Sequence, residues 1–140
     1  MKQRLNLLTL GVKDLQKSME FFQKGLGWKT KGIVGTEFEN GAVVLFDLDN
    51  GMILSLYARK NLAWDSNLTL QPESATEFSI GYFVNSRKEV DAIMEHAKKA
   101  GATITKPVQK AFWGGYNGYF QDLDGHLWEI GYNPSWKVEE

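Results

Sequence analysis

The chain has 140 residues, 43% of them hydrophobic, with 16 Lys and Arg against 17 Asp and Glu and a formal net charge of −1. This is the profile of a globular domain able to build a core without metal or disulfide staples, and the lack of a basic run argues against a nucleic-acid partner. With no cysteine there is no disulfide, no thiolate metal ligand and no cysteine nucleophile.

No apolar run approaches the roughly 20 residues that a membrane span needs, and no signal-peptide pattern opens the chain, so a cytoplasmic location is expected. Aromatic residues make up 13% of the chain, many of them near its C-terminal end. They are read first as core. Beside Gly-rich turns they also have the make-up of a small-molecule pocket.

Leu5 to Val12 reads as a short strand. Asp14 then caps a helix whose Leu15, Met19, Phe22 and Leu26 fall on one face, and Gly25 and Gly27 end it. Three strand-like runs follow, Ile33 to Phe38, Ala42 to Asp47 and Met52 to Ala58, separated by the hairpin signals Asn40-Gly41 and Asn50-Gly51. Arg59 to Thr76 shows no period and is read as a surface connector, with Trp64 anchored in a hydrophobic groove.

The pattern then recurs. Phe78 to Val84 reads as a strand, and Ser86 with Glu89 forms a capping box for a helix with Val90, Ile93, Met94 and Ala97 on its apolar face. Gly101 ends that helix. Weaker strand signals near Thr103 to Thr105 and Val108 to Phe112 precede clearer ones at Tyr116 to Gln121 and Leu127 to Tyr132. Gly27 and Gly101, Gly51 and Gly125, and Phe46 and Phe120 are each 74 residues apart, and both hairpins carry Asp-Leu-Asp, so the chain reads as a duplicated β-α-β-β-β unit.

The stretch LNLLTLGVKDLQKSMEFFQKGLGWK resembles the opening of a vicinal oxygen chelate module, and FWGGYNGYFQDLDGHLWEIGYNP resembles its closing strands. This is the superfamily of glyoxalase I, bleomycin resistance proteins and extradiol dioxygenases. The resemblance implies an α+β fold of two repeated βαβββ modules, about 1–60 and 77–134, with a connector at about 59–76. In it a cupped, partly open eight-stranded sheet surrounds a cavity, with the helices outside, in one domain that pairs as a homodimer.

In metal-dependent members, His, Glu or Gln ligands come from the first and fourth strand of each module. The matching positions here are Leu7, Ser55, Ser79 and Glu129. Glu129 is the one usual ligand of the four, so no metal, no cofactor and no glyoxalase I activity are expected. His96 and His126 are read as surface residues. The sequence has no nucleophile elbow, and Asp122-Leu123-Asp124-Gly125 is a turn too short for a calcium loop.

Period-two alternation places Leu7 and Thr9, Ser55 and Tyr57, Ser79 and Phe83, and Glu129 on inward faces. With Trp113, Tyr116 and Tyr119 from the Gly-rich stretch, these are the expected ligand-binding residues, and Glu129 is the candidate general acid or base. Either burial raises its pKa for that role, or it is a structural residue satisfied by Ser55, Tyr57 or water. The leading expectation is a metal-independent protein that sequesters an aromatic or cationic small molecule. The alternatives are a lyase, isomerase or hydrolase working through Glu129, a metal-dependent family enzyme, or a non-catalytic interaction domain.

Overall fold

The computed structural model describes residues 1–76 and 78–139, in two units, Met1–Pro72 and Glu73–Glu140, each built on one four-stranded mixed sheet. The fold is therefore α+β, with the duplicated β-α-β-β-β order expected from the spacing of glycines. Residue 77, the expected start of the second module, lies outside the described residues.

In the first unit the strands are β1 (Leu7–Val12), β2 (Ile33–Val34), β3 (Val43–Asp47) and β4 (Ile53–Ala58), in the order β1-β4-β3-β2. β1 runs parallel to β4, and the other pairs are antiparallel. Asp14 accepts a hydrogen bond from the Lys17 N–H at 3.0 Å and starts α1 (Leu15–Glu20), which continues as a π-helical turn over Phe21–Gly25. Its Met19, Phe21 and Phe22 are buried, as are Leu10, Val12, Val44, Phe46, Leu54 and Leu56 of the sheet. Phe22, Trp28 and Phe46 meet with ring centroids 5.6 to 5.9 Å apart.

The second unit repeats this plan with β5 (Ile80–Val84), α3 (Arg87–Lys99), β6 (Thr103–Lys110), β7 (Tyr116–Gln121) and β8 (Leu127–Tyr132), ordered β5-β8-β7-β6. Ser86 and Glu89 form the expected capping box: Ser86 Oγ accepts the Glu89 N–H at 3.2 Å and donates to Glu89 Oε2 at 2.7 Å. Val90, Met94 and Ala97 of α3 are buried, together with Phe120, Trp128 and Ile130 of the sheet. Phe120 and Trp128 stack with centroids 5.9 Å apart.

The strand registers carry the duplication. Leu45 opposite Ser55 in the first unit becomes Tyr119 opposite Glu129 in the second, and Phe46 opposite Leu54 becomes Phe120 opposite Trp128. Ser55 and Glu129 are thus the same place in two copies of one unit.

The β7–β8 turn is organised by Asp122. Its Oδ1 accepts the N–H groups of Asp124 and His126, and its Oδ2 accepts Trp128 Nε1–H, all at 3.0 Å. Burial pushes the Asp122 carboxyl above the ordinary carboxylate range, and these donors pull against that shift. Both aspartates of this turn are buried.

Three elements differ from the sequence expectation. Arg59–Asp65, read as connector, is a two-turn helix, α2, too short for a period to show. It lies over Gly11, where a Cβ would come within 3.1 Å of Arg59 Cγ, and its Trp64 is exposed rather than anchored in a groove. The run Ile33 to Phe38 is a strand only at Ile33–Val34, because Gly35 at φ +79° starts a turn that continues through Asn40 at φ +52°. The two weak signals after Gly101 form one strand, β6, whose register with β7 shifts twice around Pro107, a residue with no N–H to give the ladder.

Candidate functional site

Alternation along each strand divides each sheet into a helix-covered face and an opposite face. In the first unit the opposite face pairs Leu7 with Ile53, Thr9 with Ser55 and Gly11 with Tyr57. Ser55 is buried and Leu7 is exposed. The Tyr57 hydroxyl donates to the Asn40 carbonyl at 2.5 Å, so it serves the β2–β3 turn.

In the second unit the opposite face is chemically richer. Lys106, Tyr119, Glu129 and Gly81 follow one another across β6, β7, β8 and β5, and Gln109, Asn117, Gly131 and Phe83 form the adjoining row. Asn117 Nδ2 donates to Glu129 Oε1 at 3.2 Å. Burial first, then the charge of Glu129 and a hydrogen bond with it, push the Tyr119 phenol above its ordinary value. Asn117 is only 3% exposed, and its Oδ1 is buried with no hydrogen-bond partner. Such an orphaned acceptor costs free energy in a folded protein unless something donates to it.

Aromatic side chains wall one side of this cluster. The Phe83 ring fills the space above two glycines, since a Cβ on Gly131 would lie 2.6 Å from Phe83 Cε1 and one on Gly81 3.4 Å from Cε2. Trp136 packs on Phe83 at 5.0 Å between centroids and Trp113 at 6.4 Å. On the other side lies a pocket of about 460 Å³. Its lining includes Phe78, Ser79, Lys106, Tyr119 and Leu127.

Glu129, Phe83 and Ser79, expected from alternation, and Tyr119 and Trp113, expected from the Gly-rich stretch, are all placed on or beside this face. Tyr116 is not. It is on the helix side of β7, where its hydroxyl donates to Asp91 at 2.6 Å and Arg87 sits 5.3 Å from its ring centroid. The hydrogen bond to Asp91, then burial and the Asp91 charge, raise its phenol pKa, against the Arg87 charge. Within the second unit Glu129 accepts from Asn117 and stands opposite Tyr119.

Asn117 and Lys106 were missed. Asn-Gly at 117–118 read as part of a glycine-rich rim, and Lys106 reaches this row through a bulge that no local pattern announces. The signal available for Asn117 was its two-residue offset from Tyr119, which puts both on one strand face. His96 is exposed on α3, and His126 packs its ring 6.2 Å from that of Phe78.

A catalytic divalent metal needs three protein donors or more at fixed geometry. Leu7 has no donor atom, Ser55 and Ser79 have neutral hydroxyls, and Glu129 already accepts from Asn117. Among the described residues no three of His, Cys, Asp and Glu gather to hold a metal ion. These four positions do not supply the donor set of a resident metal. No helix among the described residues is long and apolar enough to cross a membrane.

A duplicated β-α-β-β-β chain with one carboxylate in the middle of its last strand is the architecture of a two-module chelate-type fold. The chain belongs to the glyoxalase/bleomycin resistance protein/dioxygenase superfamily, whose family model matches residues 4–130. Its structure is similar to that of a glyoxalase-related enzyme from Fulvimarina pelagi, with 30% identity, a TM-score of 0.83, and coverage of 99% of this chain and 94% of that one. It is also similar to the fosfomycin resistance protein FosX of Listeria monocytogenes, at 25% identity and a TM-score of 0.69 over 95% of each chain. The glutathione transferase FosA of Serratia marcescens is 27% identical over 143 residues, which cover 93% of this chain and 81% of that protein.

Proposed function

We propose that the protein is a metal-independent small-molecule-binding member of its superfamily, holding an aromatic or cationic compound on the Glu129 face of its second unit. The observation that carries this reading is the grouping of one carboxylate, Glu129, with Asn117 and Tyr119 between an aromatic wall and a pocket of about 460 Å³. An apolar concavity with a few convergent polar groups is the usual form of a small-molecule site. In this reading the protein works in the cytoplasm as a homodimer.

A ligand that binds only the folded state raises the melting temperature by mass action. A thermal-shift screen of aromatic and cationic compounds is expected to return such ligands for the metal-free protein. Stoichiometric zinc, nickel, manganese or iron in the purified protein would overturn the metal-independent reading, and sedimentation as a monomer would overturn the dimer.

The second reading is an enzyme, favoured by the Tyr119 phenol standing opposite the Glu129 carboxylate across the β7–β8 ladder, where positioned side chains can act as acid and base. The relatives named as a glutathione transferase and a fosfomycin resistance protein make this class the natural competitor. Glu129 would then act as acid or base on a substrate still to be found. Unchanged turnover in Glu129→Gln would sink it.

A further inference from the structure

The Oδ1 of Asn117 is the one buried side-chain polar atom among the described residues that has no partner. Its amide orientation is set, because Nδ2 is committed to Glu129 Oε1 at 3.2 Å and turning the amide would put oxygen against oxygen. Two acceptors, Asn117 Oδ1 and the Glu129 carboxylate, are therefore held by one hydrogen bond on neighbouring strands. On one side their register partners carry no side chain, Gly131 for Asn117 and Gly81 for Glu129, while on the other side stand Gln109 and Tyr119.

Those same two glycines make room for the Phe83 ring, which lies above both of them and so beside the carboxylate. Trp113 and Trp136 extend the aromatic surface outward from it. Aromatic faces are electron-rich and attract cations, most strongly where water is excluded. A partnerless amide oxygen and a carboxylate with acceptor capacity left, beside aromatic faces, form a site complementary to a nitrogen cation with more than one N–H.

We infer that the Glu129–Asn117 pair and the Phe83 ring recognise a cationic nitrogen, a primary ammonium or an amidinium-type group, carried on an aromatic or apolar body. Glu129 supplies the charge, Asn117 Oδ1 takes a second N–H, and Phe83 supplies the π face. This rests on the proposed small-molecule reading and narrows it from aromatic or cationic to cationic. Lys106, a cation on this face, stands across Tyr119 from Glu129 in the same row, and a bound cation would settle on the Phe83 side, away from it.

Benzamidinium, benzylammonium, benzyl alcohol and benzoate, four probes of similar size and different charge, test the inference by calorimetry and thermal shift on the full chain. The two cations are expected to bind at least tenfold more tightly than the alcohol, and benzoate not at all. Glu129→Gln is expected to abolish the preference for cations. Asn117→Ala is expected to weaken amidinium binding several-fold, and Phe83→Leu to weaken both cations roughly two- to fivefold while leaving the alcohol unchanged.

If benzyl alcohol or benzoate binds as well as the cations, the charge assignment is overturned while the small-molecule reading stands. If no probe and no compound of a broad library shifts the melting temperature, both fall. Should Glu129→Gln melt early, the Asn117 and Phe83 variants decide the matter, and cation binding undisturbed in both overturns the site.

Discussion

Asn117 and Glu129 are hydrogen-bonded at 3.2 Å although they are not opposite one another: across the β7–β8 ladder Asn117 faces Gly131, and Glu129 faces Tyr119. The contact is a diagonal one, within the reach of side chains on one face of an antiparallel pair. Because Gly131 contributes no side chain, the Asn117 amide turns toward the carboxylate. Glu129 is in this way tied to two neighbours at once, and each tie is open to measurement.

Glu129→Gln removes the charge that helps hold the Tyr119 phenol in its neutral form. The phenol pKa is expected to fall toward its ordinary value while remaining above it, since burial is the largest cause of the shift. Titration followed by ultraviolet difference absorbance, with Tyr119→Phe as the assigning variant, checks this. A phenol pKa raised by folding gives stability that is complete below the ordinary value near 10 and is lost as pH rises through the folded value. Tyr119→Phe is therefore expected to flatten part of the loss of stability above that pH, leaving the part due to Tyr116.

Gly131→Ala forces a methyl group into the space of the Phe83 ring, 2.6 Å from Cε1 and 2.9 Å from Cζ. The ring is wedged against Trp136, so it has little freedom to retreat. A cost of about 1–3 kcal/mol is expected, as for other overpacked sites. Urea denaturation measures it, and a change in tryptophan fluorescence reports the displaced ring. An unaltered midpoint would show that the ring moves freely.

Asp122→Ala deprives three donors of their acceptor, and two of them, the Asp124 N–H and the Trp128 indole N–H, belong to buried residues. The expected loss at neutral pH is about 1–3 kcal/mol for the unsatisfied group. The pH dependence carries a sign. The folded-state pKa of Asp122 is raised, so its contribution is complete below the ordinary aspartate value and declines as pH rises through the folded value. The advantage of wild type over the variant is thus expected to be larger near pH 3 than near pH 7 in melting experiments.

Ser86→Ala removes both hydrogen bonds of the α3 capping box. A loss of about 1 kcal/mol is expected, with Ser86→Gly costing less because glycine leaves the helix end open to water. Equal stability of wild type and Ser86→Ala would show that the cap contributes nothing in this fold.

Much of the fold is readable in the amino-acid sequence. Asp14 and Ser86 start helices where the capping signals stand, and β7 and β8 keep the limits that alternation assigns them. The glycine spacing announced the duplication, and the registers repeat it. The site was readable in part: Glu129, Tyr119 and Phe83 share a face because alternation is a rigid rule of strands, whereas Tyr116, three residues before Tyr119, takes the other face. Asn117 passed unnoticed because its importance comes from burial and from a diagonal neighbour.

What the amino-acid order decides alone is local: caps, turns, period and the identity of side chains available at Leu7, Ser55, Ser79 and Glu129. That is enough to take Leu7 out of any metal-ligand set, because no arrangement of the chain gives leucine a donor atom. What folding decides is non-local. The parallel pairings of β1 with β4 and of β5 with β8 join residues nearly 50 positions apart, and the β6 bulges bring Lys106 level with Tyr119. Only those pairings set Gly81 and Gly131 under the Phe83 ring and leave the Asn117 oxygen buried beside Glu129 without a donor, because hydrogen-bond satisfaction belongs to the assembled sheet and to no single strand.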